Sequence, residues 1–128
     1  MDVALFIITV SLAGIFLAMG VLHFVPAIAR GMAAMIPPGL RWRVVTPLVL
    51  VWATGVCELA GGIGLLVPGL RFAASVALIV FLIAVFPANA FAARHPDRFG
   101  KVATPLVPRL IGQLVLIALL AFVAVQSL

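Results

Sequence analysis

Acidic side chains are almost missing from this chain. Asp2, Glu58 and Asp97 stand among 128 residues against eight Lys and Arg, with a single cysteine and no tyrosine. Charged residues make up 9% of the sequence, where soluble proteins carry about a quarter. So few charges cannot cover a water-facing globule, whose apolar patches would exceed what monomers tolerate. That shortage excludes a soluble fold, and with it a soluble enzyme, a disordered segment and a nucleic-acid module. The lone Cys57 excludes an internal disulfide and the thiol exchange of a CxxC pair. There is no glycine-rich phosphate loop and no nucleophile elbow. His95 precedes Pro96 in a polar stretch, so only His23 lies near an apolar run and a bis-histidine haem has no second ligand. The sequence accordingly suggests no metal site, and catalysis by this chain alone is not expected.

What the chain has instead is hydrocarbon, 66% of its residues being hydrophobic. A membrane core of ~30 Å needs ~20 helical residues. Charge-free runs of that length occur at Val3 to Leu22, Pro47 to Val67 (interrupted only by Glu58), Phe72 to Ala93 and Leu110 to Leu128. The reading is an all-α, membrane-embedded four-helix bundle with spans at about 3–24, 45–67, 70–93 and 108–128, forming one domain over 1–128. Met1 and Asp2 supply no positive n-region, so the first run is expected to stay as helix one instead of being cleaved as a signal peptide.

Four spans put both termini and the tight Val67-Pro68-Gly69-Leu70 turn on one side, and the two longer loops on the other. Arg30, Arg41, Arg43, Arg94, Arg98, Lys101 and Arg109 fall with those loops and only Arg71 with the termini. By the positive-inside rule the basic loops are cytoplasmic and the termini face out. Pro26 can start a short helix, and Ile28, Met32, Met35 and Ile36 follow helical spacing, so a short element is expected at about 26–36. It either lies at the lipid interface, with Arg30, Arg41, Arg43 and Trp42 among headgroups, or caps the bundle without lipid preference. Pro37-Pro38-Gly39 ends it. The stretch from Arg94 to Pro108 reads as hydrated, and Pro108 as the start of the last helix.

An ionisable group within a span is costly, about 2.5–3.5 kcal/mol near the centre on insertion scales, and marks a site by default. Glu58 lies eleven residues after Pro47, about 16 Å by helical rise, hence near mid-bilayer. A neutral carboxylic acid is expected there unless a cation reaches it. Thr54, Gly55, Gly61, Gly62 and Leu65 share its helix face, whereas Trp52 and Leu66 point elsewhere. That small, polar face allows close helix approach and belongs inside the bundle. His23 ends helix one, Asn89 lies on helix three beyond a bend expected at Pro87, and Gln113 lies one turn inside Arg109 on helix four. Glu58, Asn89, His23, Thr54 and Gln113 are thus the candidate ligand-binding residues of a cavity open to the cytoplasm. The alternative is that Asn89, Gln113 and His23 only bond across helices and hold the bundle together.

Gly20-x-x-His23-Phe24, Pro37-Pro38, Gly55-x-x-Glu58-Leu59-x-x-Gly62-x-x-Leu65-Leu66-x-Pro68-x-x-Arg71-x-x-Ala74 and Pro87-Ala88-Asn89 together resemble the DoxX family of small four-span membrane proteins. The likeness covers roughly Gly20 to Arg94, with the stretch from Glu58 to Arg71 its most specific part. It implies a four-helix membrane protein, usually of the bacterial inner membrane. Some members of that family are named as subunits of a quinol oxidase or thiosulfate:quinone oxidoreductase, and others are tied to oxidative and thiol stress. Its pattern falls on His23, Glu58, Arg71, Pro87 and Asn89, with Arg71, Pro87, Gly55, Gly61 and Gly62 in structural parts.

The leading expectation is an accessory subunit that binds a quinone-like or other small lipophilic ligand, the chain itself carrying no cofactor. Membrane lipid, a second copy or a larger membrane complex, and a cytoplasmic or membrane redox enzyme are the expected partners. A second class is a purely structural or assembly subunit. A third is a small proton-coupled exporter, although such exporters carry their glutamate in the first helix and Glu58 is in the second, and their usual tyrosine is missing.

Overall fold

The computed structural model describes residues 2–34, 47–94 and 106–128. Of these, 93% are helical and none is in a strand. The helices are α1 (Val3–Leu22), α2 (Pro26–Ala34), α3 (Pro47–Leu66), α4 (Arg71–Arg94) and α5 (Leu106–Gln126), with a 3₁₀ turn at Pro68–Leu70 between α3 and α4. Four of them are long and apolar enough to cross a membrane, over Val3–Leu22, Leu48–Leu66, Pro68–Pro87 and Val107–Gln126. Phe6, Ile7, Ile63, Val80, Ile83, Ile111 and Leu114 are each more than half exposed. Outward aliphatic and aromatic side chains on every long helix suit lipid as solvent, and the chain is a multi-pass membrane protein.

Each helix end shows local chemistry. Asp2 caps α1, its carboxylate accepting from the Leu5 amide at 2.7 Å, an N-cap worth about 1 kcal/mol. Pro26 occupies the first position of α2, where a missing amide costs little. Val67 is extended before the 3₁₀ turn. The Arg71 Nε then reaches back to donate to the Leu65 carbonyl at 2.8 Å, supplying a cationic donor to one of the last carbonyls of α3. The last span starts at Leu106, two residues before Pro108. Pro108 therefore stands in the first turn and not at its first position, and its missing amide still forfeits no intrahelical bond. Helix α4 runs as one element through Pro87 to Arg94.

The long helices form a ring in which α1 packs chiefly on α3, α3 on α4, α4 on α5, and α5 lightly on α1. One core joins Leu5, Leu12, Ala13 and Phe16 of α1 to Leu65 of α3, Ala74, Leu78 and Leu82 of α4, and Leu120 and Val123 of α5. On α1 the buried residues are Leu5, Thr9, Leu12, Ala13, Phe16 and Gly20, a stripe at steps of three and four within a helix that is apolar all round. A second, small cluster pairs Ala29 of α2 with Val51 of α3, with Met32, Ala33, Leu48 and Leu50 around it. Over Pro26–Ala34 the 26–36 segment thus forms a helix with one face packed on α3. Residues 35–36, Pro37 to Arg43 and the 95–105 stretch lie outside the described residues.

Small residues set the helix spacings. A methyl group built on Gly55 would stand 2.7 Å from the His23 Cβ and 3.2 Å from the Gly20 carbonyl oxygen, and one on Gly20 would stand 3.1 Å from the Gly55 carbonyl oxygen. Further along α3, Gly62 faces Leu17 and the Ala13 carbonyl, Gly61 receives Leu78, and Gly64 receives Ala74. Gly14, by contrast, has nothing within 4 Å. Gly55→Val is expected to force α1 and α3 apart and to cost about 1–3 kcal/mol, as overpacking does. Gly14→Ala should be neutral or stabilising by up to about 1 kcal/mol. Unfolding of both variants in mild detergent, followed by circular dichroism, checks this contrast, and equal losses would refute the crossing as the tight point.

Candidate functional site

The Gly20–Gly55 crossing delivers His23 to Glu58. His23 caps the C-terminus of α1 and is buried, Glu58 is buried one turn beyond Gly55 on α3, and the His23 Nε2 stands 3.7 Å from Glu58 Oε1. Both side chains are less than a tenth exposed. At that separation the two groups interact electrostatically but do not make a hydrogen bond of ordinary length. The pair therefore lies level, although counting along each helix separately sets His23 at the boundary and Glu58 deep. The helices are staggered: α3 begins about 12 Å before Gly55 by helical rise, and α2 packs over that projecting segment through Ala29 and Val51.

The other ring nitrogen fixes the tautomer. His23 Nδ1 lies 2.7 Å from the Met19 carbonyl oxygen. A carbonyl only accepts, so Nδ1 carries a proton and donates it. Nε2 faces the carboxyl either with a bare lone pair, when the ring is neutral, or with a second proton, when it is cationic. A single proton, on Nε2 or on Oε1, would leave the pair neutral overall.

Glu58 Oε2 is buried and has no hydrogen-bond partner among the described residues. Thr54, half-buried one turn away on the same helix, commits its hydroxyl to the Val51 carbonyl at 2.7 Å. Ser75, wholly buried on α4, likewise donates to the Arg71 carbonyl at 2.8 Å. Gln113 is half-buried on α5, which packs on α4 and lightly on α1. Asn89 belongs to α4, and its side chain lies outside the described residues. Of the five candidate ligand residues, the structure brings His23 and Glu58 together with Thr54 alongside. Among the described residues no three His, Cys, Asp or Glu gather as a metal site would require.

Two features escape a reading of the sequence. Thr9 is buried with its hydroxyl unpartnered among the described residues. Its place on the stripe Leu5, Thr9, Leu12, Ala13, Phe16, Gly20, His23 is a signal that the sequence does contain. The second is a groove of about 570 Å³ between α3 and α4, lined by Cys57, Ala60, Gly61, Ala73, Ala77 and Phe81 among others. It is wide enough for a small ligand and almost wholly apolar. Gly61, three residues after Glu58 on α3, lines it, whereas Glu58 and His23 do not.

The tautomer is open to a direct check. In ¹⁵N spectra of histidine-labelled protein in nanodiscs, His23 Nδ1 is expected to show a protonated-type shift that persists from neutral to alkaline pH. An unprotonated Nδ1 with a protonated Nε2 in the neutral ring would remove the Met19 bond from the site.

The comparisons with other proteins are sparse. No curated protein matches the chain, and neither does any solved structure. One family model matches residues 12–124, from the second half of α1 to the end of the buried part of α5, and so includes His23, Glu58 and every helix crossing described above. By that match the chain belongs to the family described as Domain of unknown function (DUF8561).

Proposed function

We propose that this protein is a DoxX-like accessory subunit of the bacterial inner membrane that binds a quinone-like or other small lipophilic ligand at the His23–Glu58 pair, in support of a redox or oxidative-stress process. The observation that carries this reading is a buried carboxyl with one oxygen facing an imidazole and the other without a partner among the described residues. Buried polar groups in lipid are costly when unsatisfied, and a ligand headgroup is one way to satisfy this one. The apolar groove beside Gly61 offers room for a hydrocarbon tail. The seven-to-one partition of cations supports basic loops in the cytoplasm and termini outside.

The same pair also ties α1 to α3, and this favours a second reading in which the chain is a structural or assembly subunit. The two readings separate on binding. A photoreactive quinone with a short alkyl tail, used in both redox forms on protein in nanodiscs, is expected to label α3 near Glu58 in competition with unlabelled ligand. Glu58→Leu should weaken labelling at least about tenfold, the loss of one hydrogen bond to a charged or strongly polar group. Ala77→Trp, which fills the groove and leaves the pair untouched, should weaken the tailed probe by a similar factor. Absence of saturable labelling in the wild type, with Glu58→Leu altering only thermal stability, would discard the ligand-site reading in favour of the structural one.

A further inference from the structure

Where α2 folds over the start of α3, the two helices leave a cleft of about 150 Å³ lined by Phe24, Pro26, Ala29, Arg30, Leu48 and Trp52. Unlike the α3–α4 groove, it has a cation in its wall. We propose that this cleft binds an anionic phospholipid, with Arg30 paired to the headgroup phosphate and one acyl chain running down the exposed face of α3 over Trp52 and Val56. The site is separate from the His23–Glu58 pair and does not depend on the ligand reading above.

Size and charge together select an amphiphile. Pockets that enclose a whole small molecule begin at about 300 Å³, so this cleft can take only the head of a larger molecule whose remainder lies outside. Arg30 is exposed, and neither described carboxyl group neutralises it. Asp2 caps α1 through the Leu5 amide, and Glu58 faces His23. The Arg30 guanidinium can hold a phosphate through parallel N–H donors, the geometry that arginine offers and lysine does not. Its five companions in the wall are apolar or aromatic, which suits the glycerol and upper chain carbons of a lipid better than a soluble anion.

Position points to the same occupant. The second apolar span begins at Leu48, so the cleft straddles the boundary between headgroups and hydrocarbon, the level at which indole is favoured. Trp52 lies four residues, about 6 Å, inside that boundary. Val49, Trp52, Val56 and Ile63 are exposed and follow one another at steps of three, four and seven, a continuous apolar stripe along α3 that an acyl chain can cover. A zwitterionic lipid would bring its own cation beside Arg30 with no described carboxylate to receive it. A second copy docked symmetrically on the cleft would set Arg30 against Arg30.

Trp52 is itself the reporter. In full-length Trp42→Phe protein it is the only indole, and a phospholipid brominated on its upper acyl carbons quenches it on contact. The protein is reconstituted in phosphatidylcholine nanodiscs with rising fractions of brominated phosphatidylglycerol or brominated phosphatidylcholine. Quenching is expected at about fivefold lower fractions of the phosphatidylglycerol, the factor set by one cation acting on an anionic lipid surface. Arg30→Gln should abolish that preference, and Arg30→Lys should retain a smaller one. Lys101→Gln, which removes a positive charge elsewhere in the sequence, should leave it unchanged. Equal quenching by the two lipids would overturn the proposal, and so would an equal loss of preference in Lys101→Gln, which would assign it to general surface charge. Displacement of the brominated lipid by inorganic phosphate, at matched ionic strength, would assign the cleft to a soluble anion and overturn the lipid. Trp52 fluorescence untouched by either brominated lipid would mean that protein covers the cleft, a second copy included, and would overturn it as well.

Discussion

The contact on which this structure depends is the approach of α1 to α3 at Gly20 and Gly55, where each backbone comes near the other's carbonyl. In lipid no hydrophobic effect draws two apolar helices together, so association relies on dispersion and on interhelical polar contacts. Dispersion falls steeply with separation, and a half-ångström gap already forfeits much of it. Glycine at both positions lets the helices close enough for that attraction to count. The same closeness fixes the His23 Cβ against Gly55 and thereby brings the imidazole to the carboxyl of Glu58. Two polar groups that would otherwise be separate burdens in hydrocarbon face each other. Packing and polarity are here a single device, since a side chain at Gly55 would remove both.

Around that unit the apolar clusters are divided. Along α3 the order runs Val51, Gly55, Glu58, Gly61 and Gly62, Leu65, so the pair lies between the small α2–α3 cluster and the large core of the four long helices. Burial on both sides strengthens the interaction between His23 and Glu58, because a low local dielectric magnifies it, and makes any unmatched polar atom expensive for the same reason. That is why one oxygen without a partner carries more information than the exposed Cys57 or the half-buried Thr54 beside it.

Much of this was legible in the residues. Run length and the scarcity of charge specify four spans, and helical periodicity alone selects the buried face of α3, with Gly55, Glu58, Gly61, Gly62 and Leu65 inside and Trp52 and Leu66 outside. The relative level of His23 and Glu58 was not legible. Counting from the start of each helix measures depth along that helix, and the offset between two helices is fixed by where their small residues interlock. Nor could the sequence tell that Pro26–Ala34 packs on α3, since an apolar face names no partner. The Nδ1–Met19 bond, which decides the chemistry of the pair, depends on a rotamer and a backbone carbonyl with no residue-type signature.

The stagger explains a further feature of the fold. Because α1 ends level with Gly55, the first two turns of α3, which carry Leu48, Leu50 and Val51, would lack a partner on that side. The turn at His23 to Val25, closed by amides of Phe24 and Val25 bonding to Val21 and Leu22, reverses the chain so that α2 lies over those turns. Phe24, immediately after His23, packs its ring against Gly55 and also lines a small cleft of about 150 Å³ between α2 and α3 with Pro26, Ala29, Leu48 and Trp52. The residue that joins the polar pair to α2 is therefore a large aromatic held at a glycine. Phe24 thus touches α3 at Gly55 and directly follows His23 in the chain.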